Sequence, residues 1–110
     1  MEKNTVNKLN EIINTVKIII GVLKDNDYHV KKTYLYGSYA KGKYHKDSDI
    51  DILIVSDDFT GNRFRDSLKL MRICQKIDSR IEFMPYRSID FKDYDPLVVE
   101  VKATGKEIKI

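Results

Sequence analysis

The sequence predicts an α/β (α+β) sandwich, a small mixed β-sheet flanked by about three helices. Three observations predict it: a long opening segment of helical periodicity, short β-branched runs in the middle, and a well-marked helix near the end. Read in chain order they give α-β-(loop)-β-α-β-α-β, and two-layer packing of helices on a sheet is the economical way to bury such elements. With 110 residues there is room for one domain, residues 1–110, around one core.

Val6, Leu9, Ile13, Val16, Ile20 and Leu23 recur at three- and four-residue steps. That spacing marks an amphipathic helix from Thr5 to Asp25, ended by the turn-formers Asp25-Asn26-Asp27. A short strand over Lys32–Tyr36 runs into Gly37. After a polar loop, Asp-Ile-Asp-Ile-Leu-Ile-Val from Asp49 to Val55 reads as a central strand covered on both faces. Asp57–Gly61 forms a loop, and a second helix follows over Asn62–Ile77, with Phe64, Leu68, Met71, Cys74 or Gln75, and Ile77 or Asp78 as its expected inner stripe. Arg80–Met84 is a third strand, stopped by Pro85. Asp95 suits an N-cap, Pro96 the first helical position and Gly105 the left-handed position after the last turn, which dates the last helix to Pro96–Thr104. Lys106–Ile110 adds a short terminal strand.

The composition excludes several classes. A hydrophobic fraction of 42% and a charged fraction of 34% belong to a globular chain rather than a disordered or fibrous one. The net charge of +3 favours polyanionic ligands mildly, but the lysines are spread out, which disfavours nucleic acid as a partner. Cys74 is the single cysteine, so an internal disulfide is impossible; a small buried hydrophobe is the plain reading of it. The most apolar run, Ile18–Leu23, is too short to span a bilayer, and no signal peptide precedes it. These features point to a cytoplasmic protein away from membranes.

Two features carry chemistry. Asp49 and Asp51 lie two apart on a predicted strand, so their side chains share a face with Cα atoms roughly 7 Å apart. Paired carboxylates at the mouth of an apolar strand repel each other and resist desolvation, a deficit that a hard divalent cation such as Mg²⁺ fills. Taken alone the pair reads equally well as the wet end of a strand. Gly37-Ser38 stands where a strand ends and a helical turn begins. There glycine lets the backbone approach a ligand, and amides plus a hydroxyl can hold an anion. Alone, it too reads as an ordinary turn.

Together, in order and with ten residues between Ser38 and Asp49, they say more. Leu35-Tyr36-Gly37-Ser38-Tyr39-Ala40-Lys41-Gly42 followed by Asp47-Ser48-Asp49-Ile50-Asp51-Ile52-Leu53-Ile54-Val55 resembles the signature of the DNA polymerase beta superfamily of nucleotidyltransferases. The small size is similar to its minimal nucleotidyltransferase branch. The resemblance implies that Asp49 and Asp51 hold one or two Mg²⁺ ions and that Gly37, Ser38 and the basic Lys41 bind the nucleotide's phosphates. It also implies a third carboxylate on a later strand. Glu82 in Arg80-Ile81-Glu82-Phe83-Met84-Pro85 matches that place, as metal ligand or base, although many branches carry aspartate there and an exposed acid paired with Arg80 or Arg87 is the rival reading.

The reaction that the resemblance implies is transfer of a nucleoside monophosphate, AMP from ATP, to a hydroxyl. Minimal nucleotidyltransferases commonly work beside a small helical HEPN protein, as antitoxins that modify a tyrosine of the partner. An antibiotic-type transferase acting on a small molecule, and a binding module that masks a partner without catalysis, are the alternatives; oligomers fit any of these. Lys43 and Lys46 in the loop are further candidates for phosphate contact. His45 reads as a loop residue, His29 has no evident partner, and Tyr36 and Tyr39 read as packing residues rather than base stackers.

Overall fold

The computed structural model describes residues 2–45 and 48–109, with side chains from Lys8 onward. Its elements are α1 (Glu2–Asp25), β1 (Lys32–Tyr36), α2 (Ser38–Lys41), β2 (Ile50–Val55), α3 (Arg63–Cys74), β3 (Ile81–Tyr86), α4 (Pro96–Thr104) and β4 (Lys106–Glu107). The expected order is present, with α2 as an additional single turn after Gly37. The strands form one mixed sheet in the order β3-β2-β1-β4. β2 runs parallel to β3 and antiparallel to β1, and β4 pairs antiparallel with β1. The parallel β2–β3 pair requires a crossover, which α3 supplies.

Alternation along the strands divides the sheet into two unequal faces. Ile50, Ile52 and Ile54 of β2, Leu35 of β1 and Ile81 and Phe83 of β3 join Ile12, Val16, Ile19, Ile20 and Leu23 of α1 in the larger core. Burying each such side chain contributes about 1.5–3 kcal/mol. The second face carries Tyr34, Leu53, Val55 and Tyr86, packed against Val98 and Val101 of α4. A nine-residue helix covers only part of that face, so the end bearing Asp51 and Glu82 stays open.

The caps account for the helix starts. The Asn62 side chain accepts from the Arg65 amide, and Asp95 accepts from the Leu97 amide with Pro96 at the first position. Four expectations need correction. The inner stripe of α3 is Asp66, Leu70 and Cys74, whereas Phe64, Leu68 and Met71 are 72%, 38% and 49% exposed. The cause is Asp66, whose carboxylate accepts from the amides of Thr60 and Gly61 and the Thr60 hydroxyl. Closing that loop turns a polar residue inward and rotates the apolar row outward.

Pro85 does not stop β3, which continues to Tyr86 with Pro85 opposite Ile54; an edge strand tolerates a missing N–H. Gly105 is extended, with φ −74° and ψ 162°, not left-handed. A side chain there would collide with the Val101 carbonyl, so crowding is what makes glycine fit. The terminal strand is shorter than expected, and Ile110 lies outside the described residues. Cys74 is buried, and burial pushes its thiol up to about 11, which makes it inert. Among the described residues no helix is long and apolar enough to cross a membrane.

Candidate active site

The site begins where β1 ends. Gly37 has φ 71° and ψ −144°, a backbone conformation that side chains rarely adopt. A Cβ added there would run into the Asp51 carboxylate. Glycine therefore serves two purposes: it turns the chain from β1 into α2, and it brings backbone against a carboxylate. Ser38 opens α2, and the turn closes at Gly42, which is left-handed and donates its amide back to the turn.

The acids arrive from the neighbouring strands. Asp49 is exposed and stands just before β2 rather than within it, while Asp51 is half-buried as the strand's second residue. Asp51 faces Tyr36 across the antiparallel ladder and Glu82 across the parallel one. The Ser48 hydroxyl accepts from the His45 amide at 2.8 Å, shaping the turn that delivers Asp49. The Asp-Ser-Asp stretch thus combines a turn lock with two acids; Asp47 lies outside the described residues.

Electrostatically this corner is frustrated. Burial pushes the Asp51 carboxyl up to about 6, reinforced by the Glu82 and Asp49 carboxylates and by a hydrogen bond to Glu82. The same acids act on Tyr36. Burial first, then Asp51 and Glu82, push its phenol up to about 12. The rival pairing for Glu82 is weakened, since Arg80 is engaged by Asp78 at 2.7 Å and Arg87 by Asp90 at 2.8 Å. Among the described residues no three His, Cys, Asp or Glu side chains close into a metal cage made from protein atoms alone. The donor chemistry suits Mg²⁺ all the same. That ion uses one or two carboxylates and completes its shell with water and phosphate oxygens.

Other candidates fall differently. Lys41 sits at the end of α2 with its Nζ 3.3 Å from Glu100 Oε1, an exposed pair that a phosphate could replace. Lys43 is exposed, and Lys46 lies outside the described residues. His29 does have a partner: its amide and Nδ1 both reach Asp58 Oδ2, at 2.7 and 2.9 Å. Tyr39 is buried, stacks on Tyr44 at 4.4 Å and receives the Arg80 guanidinium on its hydroxyl. Its role is packing, as expected. Arg63 was not singled out by spacing; it lies 4.2 Å over the Tyr86 ring and acts on Tyr36, which places a cation beside the open face.

The nucleotidyltransferase domain matches residues 16–107. The chain belongs to that family. Over 90 residues it is 36% identical to the protein adenylyltransferase MntA of Shewanella oneidensis, covering 82% of this chain and 61% of that protein. It therefore spans under two thirds of that relative's length. Over 73 residues it is 38% identical to a Methanocaldococcus jannaschii protein that bears the inferred name protein adenylyltransferase, covering 66% of this chain and 69% of the other. A crystal structure described as a toxin–antitoxin with AMP-PNP superposes with a TM-score of 0.59 at 27% identity, over 88% of this chain and 72% of that one.

Proposed function

We propose that the protein is a Mg²⁺-dependent adenylyltransferase that moves AMP from ATP to a tyrosine hydroxyl of a small helical HEPN toxin, and so acts as its antitoxin. The observation that carries this is the meeting of Gly37 backbone, Asp51 and Glu82 at one open corner of the sheet. The adenylyltransferase names of the relatives and the AMP-PNP in the toxin–antitoxin structure support it. A single buried cysteine fits the cytoplasm, where ATP is at hand.

Each group has a task. The Gly37–Ser38 turn presents amides and a hydroxyl to the β- and γ-phosphates, and Lys41 leaves Glu100 for them. Asp49 and Asp51 would hold the metal, which when bound would neutralise the triphosphate and stabilise the charge of the in-line displacement. The acceptor oxygen forms a bond to the α-phosphorus as the bond to pyrophosphate breaks. Glu82, at the rim, either completes the metal site or accepts the acceptor's proton.

The test is incubation with α-labelled ATP, Mg²⁺ and the protein encoded by the neighbouring gene, beside an Asp49→Asn, Asp51→Asn double variant. Label on a partner tyrosine with wild type alone is the expected result. No transfer by wild type rejects the enzyme reading, and equal transfer by the variant rejects the assigned residues.

A further inference from the structure

Helix α3 presents two unused rows. Its inward positions are Asp66, Leu70 and Cys74. At 3.6 residues per turn, Phe64, Leu68 and Met71 fall together on one flank, and Arg65, Lys69 and Arg72 fall on the next, with Lys76 continuing their line just past the helix. The apolar row is 72%, 38% and 49% exposed. Beside it, between α3 and the edge strand β3, runs a groove of about 280 Å³, floored by Cys74, Ile81 and Phe83 with Leu68 and Met71 on its wall. The basic row is exposed throughout, and Lys69 rests 5.6 Å over the Tyr28 ring. The nearby acids do not offset it. Asp66 is turned inward onto Thr60 and Gly61, and Asp78, at the groove's end, is held by Arg80.

We propose that this flank of α3 docks a helix of a partner protein whose apolar ridge fills the groove and whose acidic residues line one side, facing the basic row. Charge complementarity selects that occupant. A nucleic acid would use the basic row and could stack a base on Phe64, but it has no use for the apolar groove walled by Leu68 and Met71, whereas an uncharged apolar segment would leave the basic row unanswered. α3 packs on the face of the sheet opposite to Asp51 and Glu82, so a partner held here leaves the open corner free to receive its tyrosine. The inference deepens the partner reading above and rests on it, naming the surface through which the toxin is held.

The test uses the full chain and the neighbouring gene's protein, with affinity measured by titration calorimetry and the footprint by hydrogen exchange. Wild type should protect residues 63–76 and 81–84. An Arg72→Glu, Lys76→Glu variant, changed only at exposed positions, should bind at least tenfold more weakly, and a compensating acid-to-lysine change on the partner helix should restore much of the loss. Leu68→Asp should weaken binding further, with unfolding temperatures checked for both variants. A complex that forms with α3 unprotected and tolerates both variants overturns this inference and leaves the transferase reading intact. No complex with wild type overturns the partner reading together with this one. Binding of a 20-nucleotide RNA that the charge reversal abolishes, while the protein complex is untouched, overturns it in favour of nucleic acid.

Discussion

Strand β2 has an aspartate pair at each end, and the two pairs are opposites. At its start, Asp51 is half-buried beside Glu82 and Asp49, and its carboxyl is pushed up to about 6 by burial and by those acids. Just past its end, Asp57 accepts from Lys31, the Ser88 amide and the Ser88 hydroxyl and is held down at about 2. Asp58, next to it, accepts from the amide and ring of His29 and is likewise lowered. One pair is crowded by like charges, with Asp51 hydrogen-bonded to another acid; the other is held by a lysine, a histidine and backbone amides of the fold. Acids that a fold uses for itself are satisfied within the fold; a frustrated pair is tolerated where something from outside completes it.

The largest effect that tests this contrast is at Asp51. Asp51→Asn should lower adenylyl transfer by roughly a hundredfold to a thousandfold, the several kcal/mol that the metal-holding role proposed for it demands. It should also raise the melting temperature of the metal-free protein at pH 7. The sign follows from the raised pKa: the folded state holds its proton more tightly than the unfolded chain, so wild type loses stability as pH rises from about 4 through about 6. The gap between variant and wild type should therefore open above pH 6 and close below pH 4 in thermal melts. A gap that stays constant with pH breaks the contrast.

Next is Gly37→Ala. A Cβ at φ 71° that collides with the Asp51 carboxylate costs on the order of 1–3 kcal/mol in backbone strain and displaces the acid. Transfer should fall roughly tenfold to a hundredfold, read by the same label assay. Alanine at Gly42 bears the same positive-φ strain but would meet open space and no acid, so it should cost stability while transfer per folded molecule mostly remains.

How far this was legible in the sequence differs from element to element. Asn62, Asp95 and Pro96 announced their helix starts because capping is local chemistry, settled within three residues. The Gly-Ser and Asp-x-Asp spacing located the open corner because the strands that carry them are neighbours in sequence. The outward face of α3 was not legible. Asp66 is buried through bonds to a loop that only the fold brings into place, and Phe64, Leu68 and Met71 offered a rival stripe of the right period. Nor was the binding of Asp57 and Asp58 legible, which read only as loop residues, since the partners that quiet them are Ser88, Lys31 and His29, about thirty residues away. The ion pair of Lys41 was hidden for the same reason: Glu100, its partner, is 59 residues distant.

A smaller effect is expected at a third satisfied acid. Asp95 accepts from the Leu97 amide at the start of α4 and from the Tyr86 hydroxyl at 2.6 Å. Burial and that bond push the Tyr86 phenol up to about 12. Asp95→Ala should cost about 1 kcal/mol through the lost cap, measured by urea unfolding. Because α4 covers the open face only in part, transfer per folded molecule should change little.

The smallest effect completes the contrast at the far end of β2. Asp57 is exposed, so its ion pair with Lys31, at 2.6 Å, is screened and modest. Its depressed pKa nevertheless fixes a sign. The folded state releases this proton more readily than the unfolded chain, so the stabilisation is present above about pH 4 and disappears as pH falls through about 2. Asp57→Asn should therefore lower the melting temperature slightly at pH 7, and the difference should vanish toward pH 2. That is the reverse in both sign and pH window of the Asp51→Asn result. Transfer should be untouched. If Asp57→Asn instead impaired transfer as Asp51→Asn does, a satisfied pair would matter to the chemistry as much as a frustrated one, and partner count would no longer separate structural acids from catalytic ones in this fold.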